Sequence, residues 1–79
     1  MNKTKVDLTD RNCLITEMSD TDWRVEGRNV RGSAVLYHCD SADAAAELAA
    51  EVCVGTVHWH LTSEVGRLLA RDAKRKAGV

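Results

Sequence analysis

The hydrophobic pattern of this chain changes its period after Cys39. Before that residue, apolar and polar side chains alternate, as from Trp23 to Glu26, which is typical of strands with one buried face. After it, an alanine-rich run places apolar residues three and four positions apart, which is the spacing of one helix face. The alternating pattern then returns for one short segment, and the helical spacing follows it again toward the end of the chain. These changes predict the element order β-β-β-α-β-α.

The first three elements are predicted to be strands joined by tight turns. The strands cover Cys13–Met18, Trp23–Glu26 and Ser33–Cys39. Short polar side chains at residues 19–22 favour the first turn, because they can hydrogen-bond to their own backbone. For the second turn the sequence offers Gly27-Arg28-Asn29 or Arg31-Gly32, and the first is the expected one.

The first helix is predicted to run from Ala42 to Val54, with Asp40 or Ser41 as its N-cap and Gly55 as its stop. One face of this helix is apolar: Ala45, Leu48, Ala49, Val52 and Cys53.

A fourth strand is predicted over Thr56–Leu61, with Val57, Trp59 and Leu61 facing inward. Thr62 and Ser63 then cap a second helix that ends in a basic turn near Gly78. The residues expected on its buried face are Val65, Leu68, Leu69 and Ala73.

The element order predicts a two-layer α+β domain, in which an antiparallel sheet of three to four strands carries two helices on one face. Residues 12–79 are expected to form this single domain, and residues 1–11 a flexible arm. With 79 residues, ten alanines and no phenylalanine, the core is thin. Uncovered apolar surface would therefore leave room for a homodimer.

The sequence predicts a protein that is not an enzyme and that binds no cofactor or metal. It has no glycine-rich phosphate loop, and His38 and Cys39, as strand neighbours, point to opposite faces. His58 and His60 share a strand face and resemble half of a metal site, but the cysteines lack the usual ligand spacing. Three scattered cysteines without a signal peptide favour a reduced cytoplasmic compartment, and no apolar run is long enough to cross a membrane.

Acidic side chains concentrate before residue 64. Residues 1–63 carry ten acidic and six basic side chains, a net charge of −4. Asp43, Glu47 and Glu51 repeat every four residues and form an acidic ridge on the first helix, although like charges at this spacing weaken a helix. Glu17, Asp20 and Asp22 surround the first hairpin. These six residues are the predicted contacts with a protein partner, and a solvated face that maintains solubility is the alternative.

The second helix carries the opposite charge. Residues 64–79 hold five basic and two acidic side chains, a net charge of +3. Arg67, Arg71, Lys74 and Arg75 form one basic stripe, which is the alternative site and would contact nucleic acid. The sequence pI of about 6.3 and the absence of interleaved aromatic residues make this reading the weaker one.

In size, sheet-and-helix layout and surface charge, the whole chain resembles the small anti-CRISPR proteins of phages and mobile elements, particularly inhibitors of type I surveillance complexes. Asp43, Glu47 and Glu51, with the hairpin acids, are similar to the acidic patches that such inhibitors turn toward basic channels. The resemblance includes no shared motif. It implies a non-enzymatic inhibitor in the host cytoplasm that binds the effector complex and blocks DNA binding or nuclease recruitment.

Overall fold

The computed structural model describes residues 12–28, 31–53 and 55–79. The predicted arm, residues 1–11, and the predicted helix end at residue 54 lie outside these ranges. The predicted element order is confirmed: β1 is Asn12–Ser19, β2 is Asp22–Arg28, β3 is Ala34–Cys39, α1 is Ala42–Val52, β4 is Thr56–His60 and α2 is Glu64–Ala77.

The sheet is mixed, so the prediction of a wholly antiparallel sheet was wrong. Its strand order is β3-β2-β1-β4, with β1 and β3 both antiparallel to β2 and β4 parallel to β1. After β3 the chain crosses over the sheet through α1. It then forms β4 at the opposite edge, in the same direction as β1. A helical crossover of this kind joins parallel strands.

The second hairpin turn lies later in the chain than predicted. Gly27 and Arg28 belong to β2, where they pair with Val35 and Ala34 of β3, so the turn assigned to Gly27-Arg28-Asn29 was wrong. The alternative turn, Arg31-Gly32, contains the residue with turn geometry. Gly32 has a φ of +83°, a left-handed conformation that glycine adopts without a steric penalty.

The core lies between α1 and the face of the sheet that α1 covers. Ile15, Trp23 and Val25 are fully buried there, and Trp23 meets the half-buried Trp59 edge to face, with ring centroids 6.4 Å apart. Ala73 of α2 and four alanines of α1 complete this cluster, the four being Ala42, Ala45, Ala46 and Ala49. Because alanine projects so little, the helix lies close to the sheet, and Trp23 is the largest fully buried side chain.

Residue Ser41 caps α1 as predicted, since its Oγ accepts a hydrogen bond from the backbone N–H of Ala44 at 3.0 Å. The predicted apolar face of α1 is confirmed in part. Ala45, Ala49 and Val52 are buried, whereas Leu48 and Cys53 are half-buried at its margin.

The buried face of α2 differs from the predicted one. Gly66, Ala70 and Ala73 are buried, whereas Val65, Leu68 and Leu69 are 53%, 56% and 39% exposed. Of the predicted inner residues, only Ala73 is correct. Since α2 packs mainly against α1, which presents alanines, the closest approach of the two helices selects the small side chains for the contact and turns the large ones outward.

The other face of the sheet is covered by neither helix. Met18, Leu36 and the three histidines are exposed on it. No helix in the described part of the chain is long and apolar enough to cross a membrane.

Candidate functional site

The acidic ridge of Asp43, Glu47 and Glu51 lies on the exposed face of α1, as the sequence predicts. Its first member is neutralised in part, because Lys76 of α2 approaches Asp43 to 3.3 Å between Nζ and Oδ2. Within the described residues, Glu47 and Glu51 form no ion pair. The uncompensated charge of the ridge is therefore carried by these two glutamates.

Two of the three predicted hairpin acids are accessible at the surface. Asp20 is exposed at the turn between β1 and β2, and Asp22 is half-buried with its Oδ1 3.8 Å from Nδ1 of His38. Asp22, Asp40 and Ala44 line one shallow depression at the start of α1. The fold thus brings the hairpin and the first turn of α1 together, although they are about 20 residues apart in sequence.

The third hairpin acid, Glu17, is not a surface residue, so its prediction as a partner contact was wrong. Its side chain is only 3% exposed. One carboxylate oxygen, Oε1, accepts hydrogen bonds from the backbone N–H groups of Thr62 at 2.7 Å and Ser63 at 3.2 Å. The other, Oε2, accepts from the Ser63 hydroxyl at 2.6 Å. Glu17 therefore fixes the start of α2 to the end of β1.

The hydroxyl of Ser63 links this contact to the helix itself. Its Oγ caps α2 by accepting a hydrogen bond from the backbone N–H of Gly66 at 2.9 Å. Hydrogen bonding from the Ser63 hydroxyl is the largest cause of a lowered pKa at Glu17, and the bonds from the Thr62 and Ser63 backbone act in the same direction. Desolvation opposes them without reversing the shift. The carboxylate is thus held in its charged form at a helix N-terminus, where the dipole also favours it.

The basic stripe of Arg67, Arg71, Lys74 and Arg75 is exposed along α2, as predicted. Two of its members interact within the chain: Arg75 pairs with Asp72 at 2.8 Å, and the Lys74 Nζ lies 5.7 Å from the ring centroid of Trp59. Arg67 and Arg71 form no ion pair in the described ranges. The stripe has two uncommitted cations, which is fewer than the sequence suggests.

A third surface, which sequence reasoning placed in the core, lies on α2. We call Val65, Leu68 and Leu69 the apolar stripe. The composition of α2 contains the signal that was missed: two sets of apolar residues share the helix, a small one at Gly66, Ala70, Ala73 and Ala77 and a large one on the neighbouring face. Helical spacing alone does not distinguish which set is buried.

In the part of the chain that the structure describes, the histidines and cysteines do not assemble into a metal or catalytic site. His58 and His60 lie on the uncovered face of the sheet, while Cys39 faces the helices and so points away from His38. Burial and the nearby carboxylate of Asp40 raise the pKa of the Cys39 thiol. Among the described residues, no group of three or more His, Cys, Asp or Glu side chains is placed to hold a metal ion.

Comparison of this chain with protein-family models, curated proteins and solved structures finds no match.

Proposed function

We propose that this protein is a small non-enzymatic inhibitor of the anti-CRISPR kind, which binds a basic surface of a nucleic-acid-binding effector complex through its acidic ridge. The support is the exposure of Glu47 and Glu51 on one face of α1 without a compensating cation in the described residues. Asp43 precedes Glu47 by one turn on the same helix face and extends the contact, and Asp20 and Asp22 at the β1–β2 turn are proposed as additional contacts.

The charge of the ridge has a measurable cost to the chain, which is why it supports a binding role. Asp43, Glu47 and Glu51 place two like-charged pairs at i,i+4, and each such pair destabilises an isolated helix by about 0.2–0.5 kcal/mol. Lys76 and the N-terminus of α1 offset this cost at Asp43, so the Glu47–Glu51 pair is the uncompensated one. The same carboxylates facing arginines and lysines across an interface steer association and select the partner. A basic channel built to hold nucleic acid presents that chemistry, so occupying it blocks DNA binding.

Direct binding of nucleic acid by the basic stripe is the less favoured function. Arg75 and Lys74 already contact Asp72 and Trp59, which leaves Arg67 and Arg71 for phosphates. Two phosphate contacts give only weak binding, because the electrostatic contribution to affinity grows with the number of phosphates that the protein neutralises.

The acidic ridge is tested by charge reversal against purified type I surveillance complexes in a binding assay. The double variant Glu47→Lys, Glu51→Lys is expected to bind at least tenfold more weakly, which corresponds to about 1.4 kcal/mol. Its melting temperature should be unchanged or raised. The new lysine at position 47 attracts Asp43, and the one at position 51 lies in the last turn of α1, where the helix dipole favours a cation, whereas the repulsion between positions 47 and 51 remains.

Single reversals provide the matched control. Glu47→Lys is compared with Glu26→Lys, which makes the same change in charge at an exposed glutamate of the opposite sheet face. The proposal requires a loss of binding for the first variant and none for the second. The proposal is wrong if the double variant binds as well as the unaltered chain. It is also wrong if the unaltered chain binds none of the type I surveillance complexes tested.

A further inference from the structure

Two histidines lie next to each other on the uncovered face of β4. His58 and His60 are both exposed there. Residues two apart on a strand point to the same side and are separated by about 6.6 Å, so both imidazoles can approach a single ion. Imidazole nitrogen is a good ligand for Zn²⁺, Cu²⁺ and Ni²⁺. The pair is therefore half of a metal site.

One chain does not complete this half-site. The β1 residues that pair with the two histidines are Leu14 and Thr16, neither of which is a usual ligand for these ions. The third exposed histidine, His38, lies on β3 at the opposite edge of the sheet. Three strand spacings separate it from β4, which is about 14 Å. Among the described residues, no third His, Cys, Asp or Glu side chain is placed to share an ion with the pair.

The position of β4 leaves its outer side open to a second chain. It is an edge strand, and within the described part of the chain its only strand neighbour is β1. Edge strands are commonly protected from further pairing by lysine, by other charged residues or by proline, and Thr56–His60 contains none of these. Threonine, valine and tryptophan, which make up the rest of β4, all favour strand pairing.

We propose that a divalent ion of the zinc, copper or nickel class joins two copies of this chain at β4, with His58 and His60 of each copy as its ligands. A two-fold axis perpendicular to the sheet at Trp59 pairs the two β4 strands antiparallel. Each His58 then lies directly opposite His60 of the other copy, with Cβ atoms about 4.5–5.5 Å apart on the same face. The four imidazoles surround one point and form a tetrahedral zinc site or a square-planar copper or nickel site.

The number of ligands selects a second copy of this chain as the partner. Structural zinc sites have four protein ligands, and one chain supplies two of them at a sheet edge. An identical edge related by two-fold symmetry supplies the other two, and two-fold dimers are the commonest assemblies of identical chains. Other registers of this pairing leave at least one histidine of each chain opposite a different residue, so only the register centred on Trp59 brings all four together.

The proposal does not rest on the inhibitor function, because Glu47 and Glu51 lie on α1, on the other side of the sheet. The two ideas are therefore tested separately. The double variant Glu47→Lys, Glu51→Lys should associate with metal as the unaltered chain does. Conversely, His58→Ala should bind a surveillance complex as the unaltered chain does.

Metal-dependent association is measured by sedimentation velocity of the full chain, prepared without a histidine tag because such a tag binds the same ions. After removal of metal with EDTA, the chain at about 50 µM is expected to be a monomer, and Zn²⁺ should convert it to a dimer. Isothermal titration calorimetry should give one ion for every two chains. A chain that stays monomeric with Zn²⁺, Cu²⁺ and Ni²⁺ overturns the proposal, and so does binding of one ion per chain without association.

Single histidine variants locate the site. His58→Ala and His60→Ala should each stay monomeric at the Zn²⁺ concentration that dimerises the unaltered chain, because either change removes two of the four ligands. His38→Ala is the matched control, since His38 is exposed on the same sheet face but lies beside Asp22, with 3.8 Å between Nδ1 and Oδ1. It should dimerise normally, and all three variants should keep the circular-dichroism spectrum of the unaltered chain. A dimer that forms without metal and is unchanged in His58→Ala and His60→Ala, or one that only His38→Ala abolishes, overturns the proposal.

Discussion

Replacing Gly66 by alanine is expected to destabilise the protein by about 2 kcal/mol, although the same change inside a helix ordinarily stabilises by about 1 kcal/mol. A Cβ at this position would overlap the carboxylate of Glu17. That carboxylate cannot move away freely, because it accepts three hydrogen bonds from Thr62 and Ser63. Displacing it leaves donors at the start of α2 without their charged acceptor, and hydrogen bonds to charged groups contribute about 1.5–3 kcal/mol each.

A double-mutant cycle separates this explanation from a general intolerance of α2 to substitution. In a Glu17→Ala background the obstruction is gone, so Gly66→Ala should now be neutral or stabilising by up to about 1 kcal/mol. Urea denaturation of the four chains gives the required free energies of unfolding. The same loss from Gly66→Ala in both backgrounds would contradict the role assigned to Glu17.

The strands and helices were predictable because each has one dominant hydrophobic period. The alternation through Trp23 and Val25, and the helical spacing through Ala45 and Ala49, identify their buried faces without tertiary information. The sheet pairing of β4 was not predictable in this way. Its side-chain alternation is the same for a parallel or an antiparallel neighbour, and only the crossover through α1 decides between them.

The face of α2 shows where period and residue size conflict. A buried stripe of Val65, Leu68 and Leu69 would bury more apolar area than one of Gly66, Ala70 and Ala73, so hydrophobicity alone predicts the wrong stripe. The structure buries the small residues because α2 packs against an alanine-rich α1 and against Glu17. Both partners are distant in sequence, and neither is visible from the helix itself.

Glu17 was misplaced for the opposite reason, because its charge was given more weight than its period. It continues the inward positions of Cys13 and Ile15, which a strict alternation assigns to the core. A carboxylate is rarely buried unless it is hydrogen-bonded, and the donors that satisfy it lie 45 and 46 residues later, at Thr62 and Ser63. Glu47 and Glu51, by contrast, lie outside every apolar period, and their exposure was predicted.

The contribution of Glu17 to stability is expected to depend on pH in one direction. Its pKa in the folded chain is lowered from the ordinary value of 4.5, which applies when the chain is unfolded. The folded state therefore binds its proton less readily than the unfolded state. The stabilisation is fully present above about pH 4.5 and is lost as the pH falls from there through the lowered pKa.

Glu17→Gln isolates this contribution, because the amide has nearly the same shape and does not titrate. At pH 7 the variant should be less stable by about 2 kcal/mol, since one carboxylate oxygen is replaced by an NH2 group that cannot accept a hydrogen bond. The difference in free energy of unfolding between the two chains, measured in urea from pH 7 to pH 3, should stay constant down to about pH 5 and narrow below pH 4.5. A difference that remains constant to pH 3 would mean that the charge of Glu17 does not hold α2 to β1. Narrowing at low pH would mean that the ionised carboxylate, and not merely the shape of the side chain, fixes the helix whose outer face carries the apolar stripe.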